Sequence, residues 1–349
     1  MAEENRYSAN ELREIMFEKD TLRPRDLADG LGIGEAALVA AQVGHGAIPI
    51  KASPDDIMPK LAPIGDVMAL TRNNSAVIEK VGTYNNYQGG KHASMVLGDE
   101  IDLRLFPSHW VHAFAVETEA KSGLRKSIQV FDAAGDAVHK IYARDGSDLA
   151  AWDEMVGRIS TGSTADTLDL SERRPIEAPK GDMAKASTLR AEWSKMTDTH
   201  QFFRLTSKLK MNRLGAYRIV GAPHATALDP SAFNSALLGL SKAEVPIILF
   251  VGNKGCIEIH WGPMLKMKEM GPWQNVLDPR FNLHLRQDHI VEVWRVEKPT
   301  RRGMAVSLEC FDKDGRIIAQ LFGHRRETDA ADHYPAFLHT IKDLPELST

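Results

Sequence analysis

One stretch of this chain occurs twice, and this repeat constrains the fold more than any other feature. Residues 96–135 align without a gap on residues 276–315 at a constant shift of 180 positions, with 13 identities in 40 positions. Sequences of ordinary composition share roughly two or three identities by chance over that length. Further out, Asn73 falls on Asn253. A single long-period repeat indicates two copies of one domain, because a solenoid is built from many short units.

The two copies are joined, we predict, by a weakly patterned segment rich in Ser, Pro, Lys and Gly, a composition typical of a linker. A chain of 349 residues is long enough for two domains that each bury a core. We therefore expect an N-terminal repeat at residues 1–160, a linker at residues 161–186 and a C-terminal repeat at residues 187–349.

Each copy contains segments that are typical of β-strands. Apolar and polar residues alternate in VHAFAVET (residues 111–118) and VEVWRVEK (residues 291–298). The strands that follow end at the turn sequences DAAGD and DKDGR, in which Gly135 and Gly315 suit a positive φ. Because helical patterns precede these strands, the sequence predicts an α+β domain used twice.

The composition excludes several classes of protein. With 43% hydrophobic and 26% charged residues, the chain resembles ordinary soluble proteins rather than disordered, collagen-like or coiled-coil ones. Cys256 and Cys310 form no CxxC pair, which argues against a disulfide framework, a zinc ribbon, an iron–sulfur cluster and c-type haem attachment. The formal net charge of −4 argues against nucleic acid as the main partner.

The chain also shows no sign of membrane insertion. No apolar run that could serve as a signal peptide occurs near its N-terminus, and the longest strongly apolar stretch, Val245–Val251, is too short to cross a bilayer. We therefore expect a cytoplasmic protein.

Two segments have helical spacing, and the second contains a candidate metal ligand. Residues Ser8–Glu18 are predicted to form a helix with Ser8 as its N-cap, and Thr188–Met211 a longer one. The apolar stripe of the second helix contains His200, together with Trp193, Met196 and Phe203. Spacing alone favours a core histidine bonded to a backbone carbonyl. The alternative is an axial iron ligand in an apolar pocket, because neutral imidazole binds iron.

Positions at which the two copies differ indicate further functional residues. In the repeat register, the pairs are Arg104 with His284, Lys298 with Thr118, Gln320 with Lys140, and Arg325 with Asp145. Arg213 adds another cation after the His200 segment. Each of these charges alone is typical of a solvated surface. Together they would suit a flat apolar ligand with a dianionic edge, since guanidinium groups pair well with carboxylates.

Three motifs carry a resemblance to a known family. TDTHQFF (residues 197–203), EIDLRLFPSHW (residues 100–110) and IIAQLFGHRRE (residues 317–327) resemble the HemS/ChuS/PhuS-type haem-utilisation proteins, also called hemin-degrading factors. The resemblance extends over nearly the whole chain, including its duplication and linker. It implies two α+β halves, each a large antiparallel sheet flanked by helices, that hold one haem b between them.

The resemblance also implies a role for each candidate residue. His200 would be the proximal iron ligand, and Arg104 would reach the distal face from the other half, where it could act in catalysis. The cofactor-binding residues would be Phe203, Arg213, Lys298, Gln320, Phe322 and Arg325. Among these, Phe203 would pack on the macrocycle, while the cations would hold the propionates or line their exit. Phe322 stands where many members of the family have Tyr, so a hydroxyl group is missing at that position.

These observations favour a haem-binding protein for haem uptake and iron acquisition, which carries haem towards degradation and iron release. The first alternative is an enzyme that opens the porphyrin with O₂. It would need an external reductant, because no flavin or nicotinamide motif occurs. Expected partners are haem, a haem oxygenase or reductant that receives it, and an inner-membrane haem importer that supplies it.

A third interpretation makes the N-terminal region a haem-responsive DNA reader. RDLADGLGIGEAALVAA (residues 25–41) resembles a helix-turn-helix. Its second helix carries no Arg or Lys to read base edges, so we interpret it as part of a packed helical pair. His109 and His112 are three positions apart on a predicted strand and would point to opposite faces, which argues against a shared zinc site.

Overall fold

The computed structural model describes residues 7–120, 123–324 and 332–347. The described chain divides into two compact units. Unit 1 comprises residues 1–72, 78–174 and 252–258, and unit 2 comprises residues 73–77, 175–251 and 259–349. None of the helices in the described ranges is both long and apolar enough to span a membrane.

Both halves of the chain contain helices and strands in the same order. The helices of the first half are α1 (Ala9–Glu18), α2 (Pro24–Leu31), α3 (Glu35–Ala40), α4 (Pro54–Ile57) and α5 (Leu149–Ile159). Those of the second half are α6 (Ala186–Trp193), α7 (Gln201–Leu209), α8 (Arg213–Val220), α9 (Ala232–Lys242) and α10 (Tyr334–Ile341).

The strands likewise occur in matching sets. The first half contains β1 (Ala47–Pro49), β2 (Val67–Arg72), β3 (Ala76–Gly82), β4 (Tyr87–Gln88), β5 (Ser94–Leu97), β6 (Asp102–Leu105), β7 (His112–Ala120), β8 (Gly123–Phe131) and β9 (Ala137–Ala143). The second half contains β10 (Ala225–Leu228), β11 (Ile247–Gly252), β12 (Cys256–Gly262), β13 (Met267–Met270), β14 (Trp273–Asp278), β15 (Phe281–Arg286), β16 (Glu292–Thr300), β17 (Gly303–Phe311) and β18 (Ile317–Gly323).

The described strands form two antiparallel sheets of nine strands each, which confirms the predicted duplicated α+β fold. In unit 1 the neighbours run β1-β7-β8-β9-β2, and in unit 2 the corresponding order is β10-β16-β17-β18-β11. The two sheets also include two meanders of three short strands, β4-β5-β6 and β13-β14-β15. The long hairpins β7–β8 and β16–β17 contain the strand segments predicted from alternation.

The turns after β8 and β17 are also as predicted. Gly135 has φ 81° and Gly315 has φ 79°, a region that side chains with a Cβ rarely adopt. A Cβ on Gly135 would lie 3.1 Å from the Cα of Gly34, and one on Gly315 would lie 2.8 Å from the ring of Pro179. Both glycines are therefore required by backbone conformation and by close packing.

Each unit contains a short loop that comes from the other half of the sequence. In unit 1, the Asn253 side chain donates to the backbone oxygens of Arg72 (2.9 Å) and Val138 (2.8 Å), and Trp110 donates to the Gly255 carbonyl (2.9 Å). In unit 2, the Asn73 side chain donates to the carbonyl of Ile318 (2.9 Å). The repeated asparagines thus hold equivalent loops.

The N-terminal helices follow their sequence signals closely. Ser8 caps α1, and its side chain and that of Glu11 form a reciprocal capping box. Helices α2 and α3 pack together through a small apolar cluster, and five of the six residues of α3 are buried. This burial confirms the interpretation of the helix-turn-helix-like segment as a packed pair.

The prediction of one long helix over Thr188–Met211 is wrong. The segment forms α6 and α7, with irregular backbone from Ser194 to His200 between them. Asp198 accepts a hydrogen bond from the His200 backbone N–H (2.7 Å), and Gln201 accepts one from that of Thr197 (2.9 Å). Such local side-chain bonds compete with helical hydrogen bonds.

The core of unit 1 contains a polar cluster. His139 is buried, and its two ring nitrogens contact Thr71 Oγ1 (2.9 Å) and the Tyr84 hydroxyl (2.6 Å). Burial lowers the pKa of His139 to about 3 and raises that of the nearby, fully buried Glu258 to about 8. Their repeat counterparts are Ala319 and Ile78, so the other copy of the fold has apolar residues at these positions.

Candidate functional site

The imidazole of His200 is exposed at the start of α7. Its side chain is 85% accessible, and Nδ1 contacts the Asp198 carboxylate at 2.7 Å. That carboxylate also accepts the backbone N–H of His200, and these hydrogen bonds lower the pKa of Asp198. The prediction that His200 lies on a buried apolar stripe is therefore wrong, as is the core-histidine alternative.

The contact with Asp198 is of the kind that supports metal-ligating histidines. A carboxylate that accepts the Nδ1 proton of an imidazole selects the tautomer whose Nε2 lone pair is available to a metal, and it orients the ring. Within the described residues, Nε2 of His200 makes no hydrogen bond. The geometry matches that of a metal-ligating histidine with its supporting carboxylate.

The surface beside His200 is concave and cationic. A depression of about 290 Å³ is lined by Thr197, Asp198, His200, Gln201, Arg204 and Arg301. Arg204 follows on α7, and the Arg301 backbone N–H bonds to the carbonyl of Thr197 at 3.0 Å. These two arginines place positive charge next to the imidazole.

Phe203 gives the same surface an apolar component. It is 58% exposed, whereas the adjacent Phe202 is buried against Trp193. The Arg213 guanidinium carbon lies 5.2 Å from the Phe203 ring centroid and 5.5 Å from that of Phe202. An exposed aromatic ring in contact with a guanidinium group suits a flat apolar ligand that has an anionic edge.

Beneath this surface, two predicted ligand residues share one buried carboxylate. Glu309 is fully buried and accepts hydrogen bonds from Arg213 Nη1 (2.7 Å), Lys298 Nζ (3.0 Å) and the Tyr217 hydroxyl (2.8 Å). Burial opposes its ionisation, but the two cations outweigh that effect and lower the pKa of Glu309 to about 2. The four groups form the Glu309 cluster.

Gln320 and Phe322 lie on the same face of the sheet as the Glu309 cluster. Gln320 is directly opposite Glu309 on the neighbouring strand, and Phe322 is opposite Ser307. Both are half-buried, and the Phe322 ring contacts that of Phe250 with centroids 5.4 Å apart. Unit 2 thus brings Arg213, Lys298, Gln320 and Phe322 to one side of its sheet.

The other two candidates lie elsewhere. Arg104 belongs to unit 1, where its guanidinium group pairs with Asp102 and donates to the carbonyl of Leu103 (3.0 Å). Arg325 falls outside the described residues. His109 and His112 are not on one strand, since His109 ends a short 3₁₀ turn and His112 begins β7. The described parts of the chain contain no group of three or more His, Cys, Asp or Glu residues placed to hold a metal ion.

Sequence reasoning missed four contributors to this site. Asp198 stands two residues before His200 in the motif TDTHQFF, so its spacing offered a signal. Arg204 also had one, because it follows the same motif directly. Tyr217 and Glu309 had none, since each resembles an ordinary residue of an amphipathic helix or strand until the fold brings them together.

If His200 is an iron ligand, as the family resemblance implies, we expect Asp198→Asn to weaken hemin binding without unfolding the protein, because both side chains are exposed. An amide presents a weaker acceptor to Nδ1 and cannot balance the charge of the imidazole. Loss of such a supporting carboxylate costs roughly 10-fold in metal affinity. Titration with hemin, followed by Soret absorption, measures the effect, and Asp343→Asn is the matched exposed control. Equal affinities for both variants and the wild type would show that Asp198 does not support the imidazole.

A protein-family comparison matches both copies of the repeat. The model described as the haemin-degrading HemS.ChuX domain matches residues 32–159 and again residues 210–341. A curated relative, the hemin transport protein HemS of Yersinia enterocolitica, is 38% identical over 306 residues, which cover 87% of this chain and 88% of that protein.

Two solved structures are similar over almost their whole length. The holo form of PhuS, a heme-binding protein from Pseudomonas aeruginosa, matches with a TM-score of 0.91 and 36% identity, covering 98% of this chain and 100% of that one. ChuS, described as an E. coli heme oxygenase, matches with a TM-score of 0.84 and 35% identity, covering 95% of this chain and 99% of the other.

Proposed function

Because this chain belongs to the haemin-degrading HemS/ChuX domain family, we propose that it binds haem and carries it towards degradation and iron release. The observation that carries the proposal is the exposed imidazole of His200, oriented by Asp198 beside an exposed aromatic ring and a cationic surface. Neutral imidazole is an axial ligand of haem iron, and the similar proteins are known by names that describe heme binding and hemin transport.

In the proposed complex, each residue of unit 2 has a part that its chemistry supports. His200 Nε2 ligates the iron, and Phe203 packs against the macrocycle. Arg213, Arg204 and Arg301 provide guanidinium groups that can bind the propionates, with Gln320 and Phe322 along the same side of the sheet. Lys298 contributes its positive charge from within the buried Glu309 cluster. Arg325 remains a predicted propionate ligand.

Arg104 is the proposed distal residue. Its guanidinium group can donate hydrogen bonds to water or dioxygen on the iron but cannot itself ligate the metal. It lies on β6, in the first repeat. The domain bounds predicted from the sequence, with a linker at residues 161–186, are part of the same proposal.

A carrier of this kind needs a donor and a receiver of haem. We propose that the protein acts in the cytoplasm. An inner-membrane haem importer would supply the haem, and a haem oxygenase or a reductant-dependent partner would receive it. The second candidate function, direct opening of the porphyrin with O₂ and an external reductant, is favoured by one observation. The similar ChuS protein is described as a heme oxygenase.

The test is an absorption titration of the purified protein with hemin, followed by ascorbate in the presence of catalase. We expect a saturable Soret band at one hemin per chain. A band that persists under reductant supports a carrier. Its decay to an open tetrapyrrole with release of iron supports the enzyme, and in that case Arg104→Ala should slow the decay while retaining hemin. Absence of a saturable band would contradict haem binding.

A further inference from the structure

The Glu309 cluster holds an excess of positive charge in the interior of unit 2. Arg213 and Lys298 are both cations, and Glu309 is their one carboxylate partner within the described residues. Ser307 Oγ also donates to Glu309 (3.0 Å), and the Tyr217 hydroxyl is neutral. Two positive charges against one negative charge leave one positive charge unbalanced.

This cluster is not a requirement of the fold. At the same positions of the other repeat, Glu309 is replaced by Gln129, Lys298 by Thr118 and Arg213 by Ile33. Within the described residues, the Gln129 side chain keeps the bond to the repeated serine, with its Nε2 donating to Ser127 Oγ at 3.1 Å. Opposite Gln129, unit 1 has a buried pair of equal and opposite charges, Lys140 with Glu35. Because unit 1 builds the same sheet without an excess of charge at these positions, the excess in unit 2 points to a ligand.

We propose that Glu309 is a positioning residue, which balances one of the two cations of the cluster and holds the inner edge of Arg213 so that its outer edge binds a single ligand carboxylate. The inference rests on the proposed function, in which that carboxylate is a haem propionate. It assigns to Glu309 a role that acts through Arg213 and without contact to the ligand.

The hydrogen bonds of Arg213 support this division of the guanidinium group. Nη1 donates to Glu309 (2.7 Å) and to the Tyr217 hydroxyl (3.0 Å), which uses both of its protons. Within the described residues, Nε and Nη2 make no hydrogen bond, and the side chain retains 20% of its accessibility, next to the exposed Phe203. The remaining donors can therefore pair with a carboxylate that arrives from solvent.

Lys298 depends on Glu309 for its charge. Its ammonium group faces Arg213 and Tyr217 of α8, Trp193 of α6, Phe202 of α7, and Glu309 of β17. Burial lowers the pKa of Lys298, and Glu309 counteracts that effect. Without Glu309, we expect Lys298 to lose its proton at alkaline pH and to regain it at mildly acidic pH.

The experiment compares the wild type, Glu309→Gln and the double variant Glu309→Gln/Lys298→Met as full chains. Each is titrated with hemin and with hemin dimethyl ester, whose propionates are uncharged, at pH 6 and pH 8.5. The double variant also removes the buried amine of Lys298. It therefore leaves no unpaired buried charge, and it can be tested if the single variant is poorly folded.

At pH 8.5 we expect Glu309→Gln to bind hemin about 10-fold more weakly than the wild type, the effect of losing one charge-assisted hydrogen bond. The affinity for the dimethyl ester should change by less than about twofold. At pH 6 the loss for hemin should shrink as Lys298 regains its proton, and this pH dependence should be absent from the double variant.

Three results would overturn the inference. An equal loss of affinity for hemin and for the ester would mean that Glu309 only maintains the fold. Unchanged hemin affinity would mean that ligand binding by Arg213 does not depend on Glu309. The same pH dependence in the single and double variants would mean that the charge of Lys298 does not depend on Glu309. A wild-type protein that binds neither hemin nor its ester would contradict the proposed function itself. The wild-type titrations therefore separate a failure of the proposed function from a failure of this inference.

Discussion

His200→Ala should lower the affinity for hemin by at least about 100-fold and shift the Soret band of any complex that remains. The substitution removes the proposed axial ligand, and loss of a supporting residue alone costs 10- to 100-fold at metal sites. Because the imidazole is 85% exposed and, within the described residues, hydrogen-bonds only to the neighbouring Asp198, the free energy of unfolding should stay within about 0.5 kcal/mol of the wild type. Hemin titration and urea unfolding measure the two quantities.

The matched control is His339→Ala, which removes another exposed imidazole from unit 2, on α10. It should bind hemin as the wild type does. If His200→Ala and His339→Ala gave the same Soret spectrum and the same affinity, His200 would not be the iron ligand. A loss of stability in His200→Ala would instead indicate a structural role that its exposure does not predict.

Glu258→Gln should remove a large pH dependence from the stability of the protein. Burial raises the pKa of Glu258 to about 8, against an ordinary value of 4.5, although Thr71 and Lys80 partly oppose this effect. The folded state therefore holds a proton that the unfolded state releases between these two values. Wild-type stability falls as pH rises through this window, by up to about 1.4 kcal/mol per pH unit and about 3–5 kcal/mol in all.

Gln cannot ionise, so the variant should keep its stability as pH rises from 6 to 8, and its advantage over the wild type should grow. The buried His139 contributes a pH dependence of stability with the opposite sign. Its pKa is lowered to about 3, so the folded state resists protonation and stability falls as pH drops below about 6.5 in both proteins. Urea unfolding at pH 6, 7 and 8 isolates the effect of Glu258.

The control for this prediction is Glu18→Gln, at an exposed position of α1. Its difference from the wild type should not vary between pH 6 and pH 8. A constant difference for Glu258→Gln as well would mean that the buried carboxyl is ionised at neutral pH, paired by Lys80 or by water.

Much of the fold could be predicted because its signals are local. Alternation indicated β7 and β16. The turn sequences with glycines at positions 135 and 315 marked the ends of β8 and β17, since φ preference belongs to a single residue. The constant shift of 180 positions indicated that these signals describe one domain used twice. The break between α6 and α7 was missed because Asp198 and Gln201 bond to the backbone in a way that periodicity does not show.

The sequence predicted the residues of the candidate site better than it predicted their arrangement. His200, Arg213, Lys298, Gln320 and Phe322 were singled out by differences between the repeats and by the family resemblance, and unit 2 contains all five. Their surroundings were not foreseen. His200 is exposed where helical spacing placed it on an apolar stripe, and Lys298 is buried where a surface charge is the ordinary expectation.

The sequence by itself determined the duplication, the strand pattern, the turns and the choice of His200 as the candidate ligand, because each of these depends on neighbouring residues or on a comparison of the two copies. Only the tertiary structure decided which groups are buried together. Arg213 and Glu309 are 96 positions apart, and Thr71 and Cys256 are 185 apart. Burial and pairing over such distances depend on how the sheets assemble, and assembly sets the charge states of Glu309, Lys298 and Glu258.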